Sequence, residues 1–339
     1  MKHETQDLMT PPFEDQYGRH KRKLRISVTD RCNFKCLYCM PEHPEWIKKH
    51  DLLSFEALFE FCRFMVQNGI ENIRITGGEP LMRQGVVHFI RDLQSLRAKG
   101  LKRISITTNA HYLKKYALDL KHAGLDDLNI SLDSLDPEQF MTLTKKPILP
   151  VLEGIKAAQA VGLKFKINTV LMKGKNDDQI LPLVQWAKSQ HIPLRFIEFM
   201  PLDGDQHWSN AAVVSEQEIL EVLSKTYSIE ALEQHSEPAR LFRLDQNYDV
   251  GVISTITHSF CGQCDRIRLT AQGELYNCLF APKGIDLKPL LNELVQGYDQ
   301  DRTLTELYDK TSSYIWNKAK GFHSLNTHTR KITMHMIGG

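Results

Sequence analysis

The sequence has no long apolar run, so nothing in it reads as a transmembrane helix. Its first twenty residues, MKHETQDLMTPPFEDQYGRH, have no apolar core, so no secretory leader is expected there, only a partly ordered lead-in. Net charge is small, +2 over 339 residues, which removes the electrostatic case for a nucleic-acid partner. There is no low-complexity segment. Without a leader, the seven cysteines are not expected to form a disulfide framework, and the expected location is the cytoplasm. What remains is a chain of ordinary globular composition, 42% hydrophobic and 25% charged. It is long enough for one large α/β domain with an extension.

Six β-like runs recur along the first 200 residues: KLRISVT (23–29), NIRITG (72–77), RISITTN (103–109), DLNISLD (127–133), LKFKINTVL (163–171) and LRFIEFM (194–200). Helix-like stretches such as SFEALFEFCRFMVQNG, VVHFIRDLQSLRAKG and VLEGIKAAQAVG lie between most of them. This alternation argues for a parallel sheet with right-handed crossovers, either open and doubly wound or closed toward a barrel. Alternate side chains on a strand face opposite sides. Arg25, Ser27 and Thr29 oppose Ile26 and Val28, and Arg74 and Thr76 oppose Ile73 and Ile75. Ser105, Thr107 and Asn109 oppose Ile104 and Ile106; Asn129, Ser131 and Asp133 oppose Ile130 and Leu132. Lys164, Lys166 and Asn168 oppose Phe165 and Ile167. A sheet covered by helices on both faces reads apolar on both. Here one face is polar in five successive strands, which favours a barrel whose polar face surrounds a cavity. The alternative is a sheet with one face open to water. Beyond residue 200 the pattern turns to loop, one helix at SEQEILEVLSKTY, short strands in hairpins, and a probable helix near TLTELYDKTSSYIWNKAKG, an extension expected to close one end of the barrel.

Six of the seven cysteines form two triads, Cys32/Cys36/Cys39 and Cys261/Cys264/Cys278; Cys62 sits in an apolar helical pattern and reads as core. The first triad follows directly on the first strand, at the mouth where barrel active sites lie. Its spacing suits three corners of a 4Fe–4S cube, with zinc completed by His43 as the alternative. The spacing of the second triad slightly favours zinc, with His258 as fourth ligand.

CNFKCLYC and GGEPL resemble the two signatures of the radical S-adenosylmethionine (SAM) superfamily, with Tyr38 as the aromatic before the last cysteine. RISVTDRCNFKCLYCMP, IRITGGEPLMR, TTN, NISLD, FIEFMPL, SFCGQCDRIRLT, YNCLFA and the terminal IGG resemble, in order, the GTP 3′,8-cyclase family over nearly the whole chain. The departures are a shorter stretch between Met40 and Leu53, Ala110 after TTN, KKP at 145–147, and Asp265 before RIR. The resemblance implies a partial (β/α)6 TIM-type barrel at 21–202 after a lead-in at 1–20. A C-terminal α+β extension at 203–339 would carry a second iron–sulfur cluster. It implies a lyase with two 4Fe–4S clusters and SAM, one cluster on each triad, in place of zinc at the second.

In that family a 5′-deoxyadenosyl radical takes hydrogen from C3′ of GTP, and cyclisation onto C8 begins molybdenum-cofactor synthesis. The resemblance places Tyr38, Gly78, Ser131 and Met200 at SAM, with Gly77 beside them. It places Arg25, Arg74, Thr107, Lys166, Arg266, Ile267 and Arg268 at GTP, Arg195 as a weaker candidate, and Arg25, Arg266, Arg268, Gly338 and Gly339 in the catalytic machinery. Implied partners are a flavodoxin- or ferredoxin-type reductant and a downstream cyclic pyranopterin monophosphate synthase, with no nucleic acid and no membrane, the chain acting as monomer or homodimer. Competing readings are a radical enzyme with an auxiliary cluster acting on a peptide or another phosphorylated substrate, and a non-catalytic zinc module.

Overall fold

The computed structural model describes residues 11–203, 205, 208–233, 237–321 and 333–338. Six parallel strands run in chain order: β1 (Lys23–Ser27), β2 (Asn72–Thr76), β3 (Arg103–Thr108), β4 (Asp127–Ser131), β5 (Lys164–Leu171) and β6 (Leu194–Glu198). Each lies inside the run expected from sequence. The crossovers carry α1 (Phe55–Gln67), α2 (Val86–Asp92), α3 (Leu113–His122), α4 (Pro137–Thr144), α5 (Leu149–Ala160) and α6 (Ile180–Ser189). The stretch VVHFIRDLQSLRAKG, expected as one helix, divides at Leu93 into α2 and a 3-10 segment ending on Gly100.

The apolar faces pack as the alternation requires. Ile26, Ile73, Ile75, Ile104, Ile106, Ile130 and Ile167 are fully buried against α1 residues such as Leu58, Phe61 and Met65 and their neighbours. Each such side chain contributes about 1.5–3 kcal/mol by leaving water. Ser54 starts α1 by accepting from the Ala57 N–H at 3.1 Å, and Cys62 is core as expected.

The extension adds α7 (Glu216–Ser224), β7 (Ile229–Ala231), β8 (Arg240–Leu244), β9 (Tyr248–Ile253), β10 (Arg266–Leu269), β11 (Glu274–Tyr276) and β12 (Ile285–Asp286). It continues with α8 (Lys288–Gln296), α9 (Gln300–Trp316) and α10 (Met334–Ile337). It does not simply sit over one end. Its strands lengthen the same sheet at both edges, giving the order β12-β11-β10-β1-β2-β3-β4-β5-β6-β9-β8-β7. β10 pairs with β1 in parallel, and β9 pairs with β6 in parallel. The hairpins expected from sequence are present, β8 with β9 and β10 with β11; the parallel pairings on their other edges join residues distant in sequence and leave no local pattern.

The lead-in is also more than a frayed end. From Phe13 onward it is packed, with Phe13, Asp15, Arg19 and Lys21 all buried. Phe13 stacks on Tyr308 at 5.5 Å.

Candidate active site

Both cysteine triads line one cavity of about 270 Å³ on the polar side of the sheet. The first triad lies on the loop after β1, and the second on the segment joining β9 to β10 and the turn after β11. Between them the wall is formed by Arg25, Arg74, Ser105, Thr107, Arg266 and Arg268. Gly77, Gly78, Tyr38, Ser131 and Met200 also line it. The polar face expected from alternation is therefore the cavity wall.

Gly77 and Gly78 are required by close approach. Gly77 has φ +137°, and a Cβ there would lie 2.2 Å from the Thr29 carbonyl oxygen. A Cβ on Gly78 would lie 2.4 Å from that of Arg31. The pair thus lets the β2 loop cross directly beneath the chain entering Cys32. The next residue, Glu79, is fully buried and accepts from Leu81 N–H, Thr108 hydroxyl and Asn109 N–H. Burial pushes its carboxyl up to about 7 against those donors. Tyr38 donates to Asp133 at 2.8 Å, and burial pushes Asp133 up to about 6. Burial and the charge of Glu79 push Cys32 up to about 12; burial and Asp133 push Cys36 well up. Asn109 donates to the Cys32 sulfur at 3.7 Å. Ala110, one of the departures from the family pattern, takes φ +59°.

The second triad has the opposite surroundings. Burial opposes ionisation of Cys264, but Arg266, Lys318 and a backbone N–H outweigh it and hold the thiol well below its ordinary value. Arg266 lies 3.5 Å from the Cys264 sulfur and over the Phe260 ring at 4.6 Å. The histidines weighed as zinc ligands do not join the triads: His43 is exposed, and the exposed His258 ring lies 3.7 Å from Glu216. Among the described residues no group of three or more His, Cys, Asp or Glu side chains is arranged to hold a single metal ion.

The guanidiniums crowd one another. Burial, then Arg268, Arg74 and Arg266, push Arg25 well down from the ordinary arginine value. Arg74 is pushed down to about 10, chiefly by burial; it donates to Ser105 at 3.2 Å and faces Asn129. Lys166, paired in register with Asn129, falls to about 8 through burial and then the nearby Arg195. Lys166 is not among the residues lining the cavity; Lys23, Arg103 and Arg195 are, with Glu237 3.4 Å from Lys23 and 3.8 Å from Arg195. Sequence reading missed Lys23 and Arg103, although both share their strands' polar face with Arg25 and Ser105. The side chain of Ile267 is fully buried in the core on the opposite face, which leaves its backbone as the part that faces the cavity side.

The C-terminal tail packs beside this cavity, with Met334 on its lining. Met334 N–H donates to Leu202, and His335 lies edge-on to Trp46. Ile337 is fully buried with Tyr276 and Ala281 beside Cys278. Gly338 takes φ +78°, and a Cβ on it would lie 1.8 Å from the Thr76 hydroxyl and 2.8 Å from that of Ser27. Gly339 lies outside the described residues.

Comparison with known proteins matches residues 26–187 to the radical SAM superfamily and 192–324 to Molybdenum Cofactor Synthesis C. The chain is 38% identical to the GTP 3′,8-cyclase of Staphylococcus carnosus over 98% of this chain and all of that one. It is 41% identical to that of Nautilia profundicola over 82% of this chain and 87% of that one. It is 43% identical to that of Campylobacter jejuni over 81% and 85%. In fold it resembles Streptococcus suis SuiB bound to S-adenosylmethionine, with TM-score 0.62 at 17% identity over 81% of this chain and 65% of that chain. It also resembles anSMEcpe with bound AdoMet and a peptide, with TM-score 0.54 at 16% identity over 84% and 82%. On whole-length similarity to those cyclases, matched in both halves, the chain belongs to the GTP 3′,8-cyclase family of radical SAM enzymes.

Proposed function

We propose that this chain converts GTP to (8S)-3′,8-cyclo-7,8-dihydroguanosine 5′-triphosphate, the first step of molybdenum-cofactor synthesis, using SAM and two 4Fe–4S clusters. The observation that carries this reading is the crowd of desolvated guanidiniums, Arg25, Arg74, Arg266 and Arg268, on the wall between two cysteine triads. Burying like charges together is costly unless an anion joins them. A triphosphate supplies that anion, and arginine forks match its oxygens. A peptide substrate would leave the cost unmet.

The donor sets fit iron–sulfur clusters. A cube takes one thiolate per iron corner, so a triad spread around a cavity suits it where it does not suit a single ion. In each triad the three thiols are free and half-buried. Cys32, Cys36 and Cys39 would hold the first cluster, and Cys261, Cys264 and Cys278 the second. When bound, the first cluster and SAM supply the one-electron chemistry that begins hydrogen abstraction at ribose C3′.

The chain does the rest. Gly77 and Gly78 bring bare backbone to the SAM side, and the Tyr38–Asp133 hydrogen bond fixes the cysteine loop. Ser131 and Met200 line the SAM side, and Thr107, Lys166 and the backbone of Ile267 lie toward GTP. Arg25, Arg74, Arg266 and Arg268 orient the triphosphate so that C3′ is presented consistently. Gly338 lies beside the cavity, where it closes the mouth and excludes water. No helix among the described residues is long and apolar enough to cross a membrane, and seven free cysteines suit a reducing cytoplasm. A flavodoxin- or ferredoxin-type reductant fits the one-electron demand.

Anaerobic incubation with dithionite, SAM and GTP, followed by mass analysis of the nucleotide, tests the reading. A cyclised triphosphate, with 5′-deoxyadenosine and methionine, is expected. 5′-Deoxyadenosine without any change in GTP would overturn it.

A further inference from the structure

Lys318 follows α9 and is 2% exposed. α9 buries Thr303, Leu307, Thr311 and Ile315 at four-residue spacing, so its position is set by the core. An ammonium carries three donors and no acceptor. All three are spent here: on the carbonyl of Arg266 at 2.8 Å, on the carbonyl of Asn277, and on the sulfur of Cys264 at 3.2 Å. Arg266 lies two residues after Cys264, and Asn277 immediately precedes Cys278. One side chain therefore ties together two cysteine-bearing segments and donates to a sulfur.

The lead-in completes the arrangement. Arg19 donates to the Cys261 carbonyl at 2.7 Å, and Lys21 to the Cys264 carbonyl at 3.0 Å. Both are held by the buried carboxylate of Asp15, at 2.7 and 2.6 Å. These two cations hydrogen-bond to backbone and not to sulfur, Lys21 acting on Cys264 only through its charge; Lys318, like Arg266, hydrogen-bonds to the sulfur. A buried ammonium kept at such desolvation cost beside a sulfur needs an anion there. Hydrogen bonds and positive charge at the sulfurs stabilise the reduced state of an iron–sulfur centre.

We propose that Lys318 is a positioning residue that joins the Cys264 and Cys278 segments and, through its donation to the Cys264 sulfur, raises the reduction potential of the second centre. This rests on the reading that the second triad holds an iron–sulfur cluster. The test uses full-length protein, anaerobically reconstituted, in a Cys36→Ala background so that only the second centre reports. Iron content and a potentiometric titration followed by electron paramagnetic resonance are compared with and without Lys318→Met. The expected result is retained iron with reduction disfavoured about tenfold, which is 59 mV for a one-electron couple. In a Cys264→Ala background, where the first centre reports, Lys318→Met should leave the potential unmoved.

Retained iron at an unchanged potential would overturn the proposal. Should Lys318→Met fail to take up iron, Lys318→Gln decides, since it keeps a donor but loses the charge. A lowered potential supports the role; an unmoved potential, or loss of iron there too, reduces Lys318 to scaffolding. Absence of iron from the Cys36→Ala parent is a different failure: it removes the cluster reading and the proposal with it.

Discussion

The two cysteine triads share a cavity but not an electrostatic environment. Around the first, burial keeps the thiols neutral, and the carboxyls Glu79 at Cys32 and Asp133 at Cys36 act in the same direction. In the second, at Cys264, Arg266 and Lys318 outweigh burial and favour the thiolate. The first site is short of positive charge, which iron and a sulfonium would bring. The second has a surplus, which thiolates and a polyphosphate would consume. Similar sets of three cysteines are thus prepared for ligands of different charge.

The sharpest way to break that comparison is to remove one triad at a time. Cys36→Ala should cost about half the iron and all SAM cleavage. Cys264→Ala should cost the other half and leave some cleavage. Iron and 5′-deoxyadenosine assays separate them, and zinc at the second site after anaerobic preparation would contradict the division. Next in size is the cation surplus. Arg268→Ala should weaken GTP binding about ten- to a hundredfold, the loss of a charged hydrogen bond of about 1.5–3 kcal/mol, with iron content unchanged. Arg268→Lys should not restore it, because the fork is lost. Isothermal titration with GTP reads both variants, and wild-type affinity in Arg268→Ala would refute the assignment.

A smaller effect is expected where the tail meets the first two strands. Gly338→Ala places a methyl against Thr76 and adds strain at φ +78°. It should leave iron and SAM cleavage intact but lower cyclised nucleotide per 5′-deoxyadenosine several-fold; deletion of Gly338 and Gly339 should do the same. An equal ratio would make the tail a bystander. The smallest effect is on pH. Lys166 is held down at about 8, so it is charged below that value and neutral above it. GTP affinity should fall as pH rises from 7 to 9, and Lys166→Met should flatten that part of the profile.

Much of the half-barrel was legible because its signal is local. Five of the six strands alternate apolar residues, mostly Ile, with polar ones, and that period placed Arg25, Arg74 and Thr107 on the cavity wall. Cysteine spacing marked both triads. The support of the second triad was not legible. Asp15 and Arg19 fell in the partly ordered lead-in, Lys21 just past it, and Lys318 in the helical stretch TLTELYDKTSSYIWNKAKG, and nothing nearby in sequence shows that they meet the segments of Cys261, Cys264 and Cys278. Ile267 lies between Arg266 and Arg268 on β10, and the same strand alternation puts its side chain on the far face, in the core.

The pairing of β1 with β10 has a consequence for the order of assembly. Lys21 and Cys264 are 243 positions apart, so the loop that their contact closes contains most of the chain. Such contacts form late, after the loop-closure entropy of nearly the whole polypeptide has been overcome. On a ribosome, the six strands of the first half emerge and can pair while β10 is still unsynthesised. The first triad and its loop therefore exist before the wall carrying Arg266 and Arg268 does. The second triad and its cationic supports, drawn from both ends of the chain, can be completed only after Lys318 has been made.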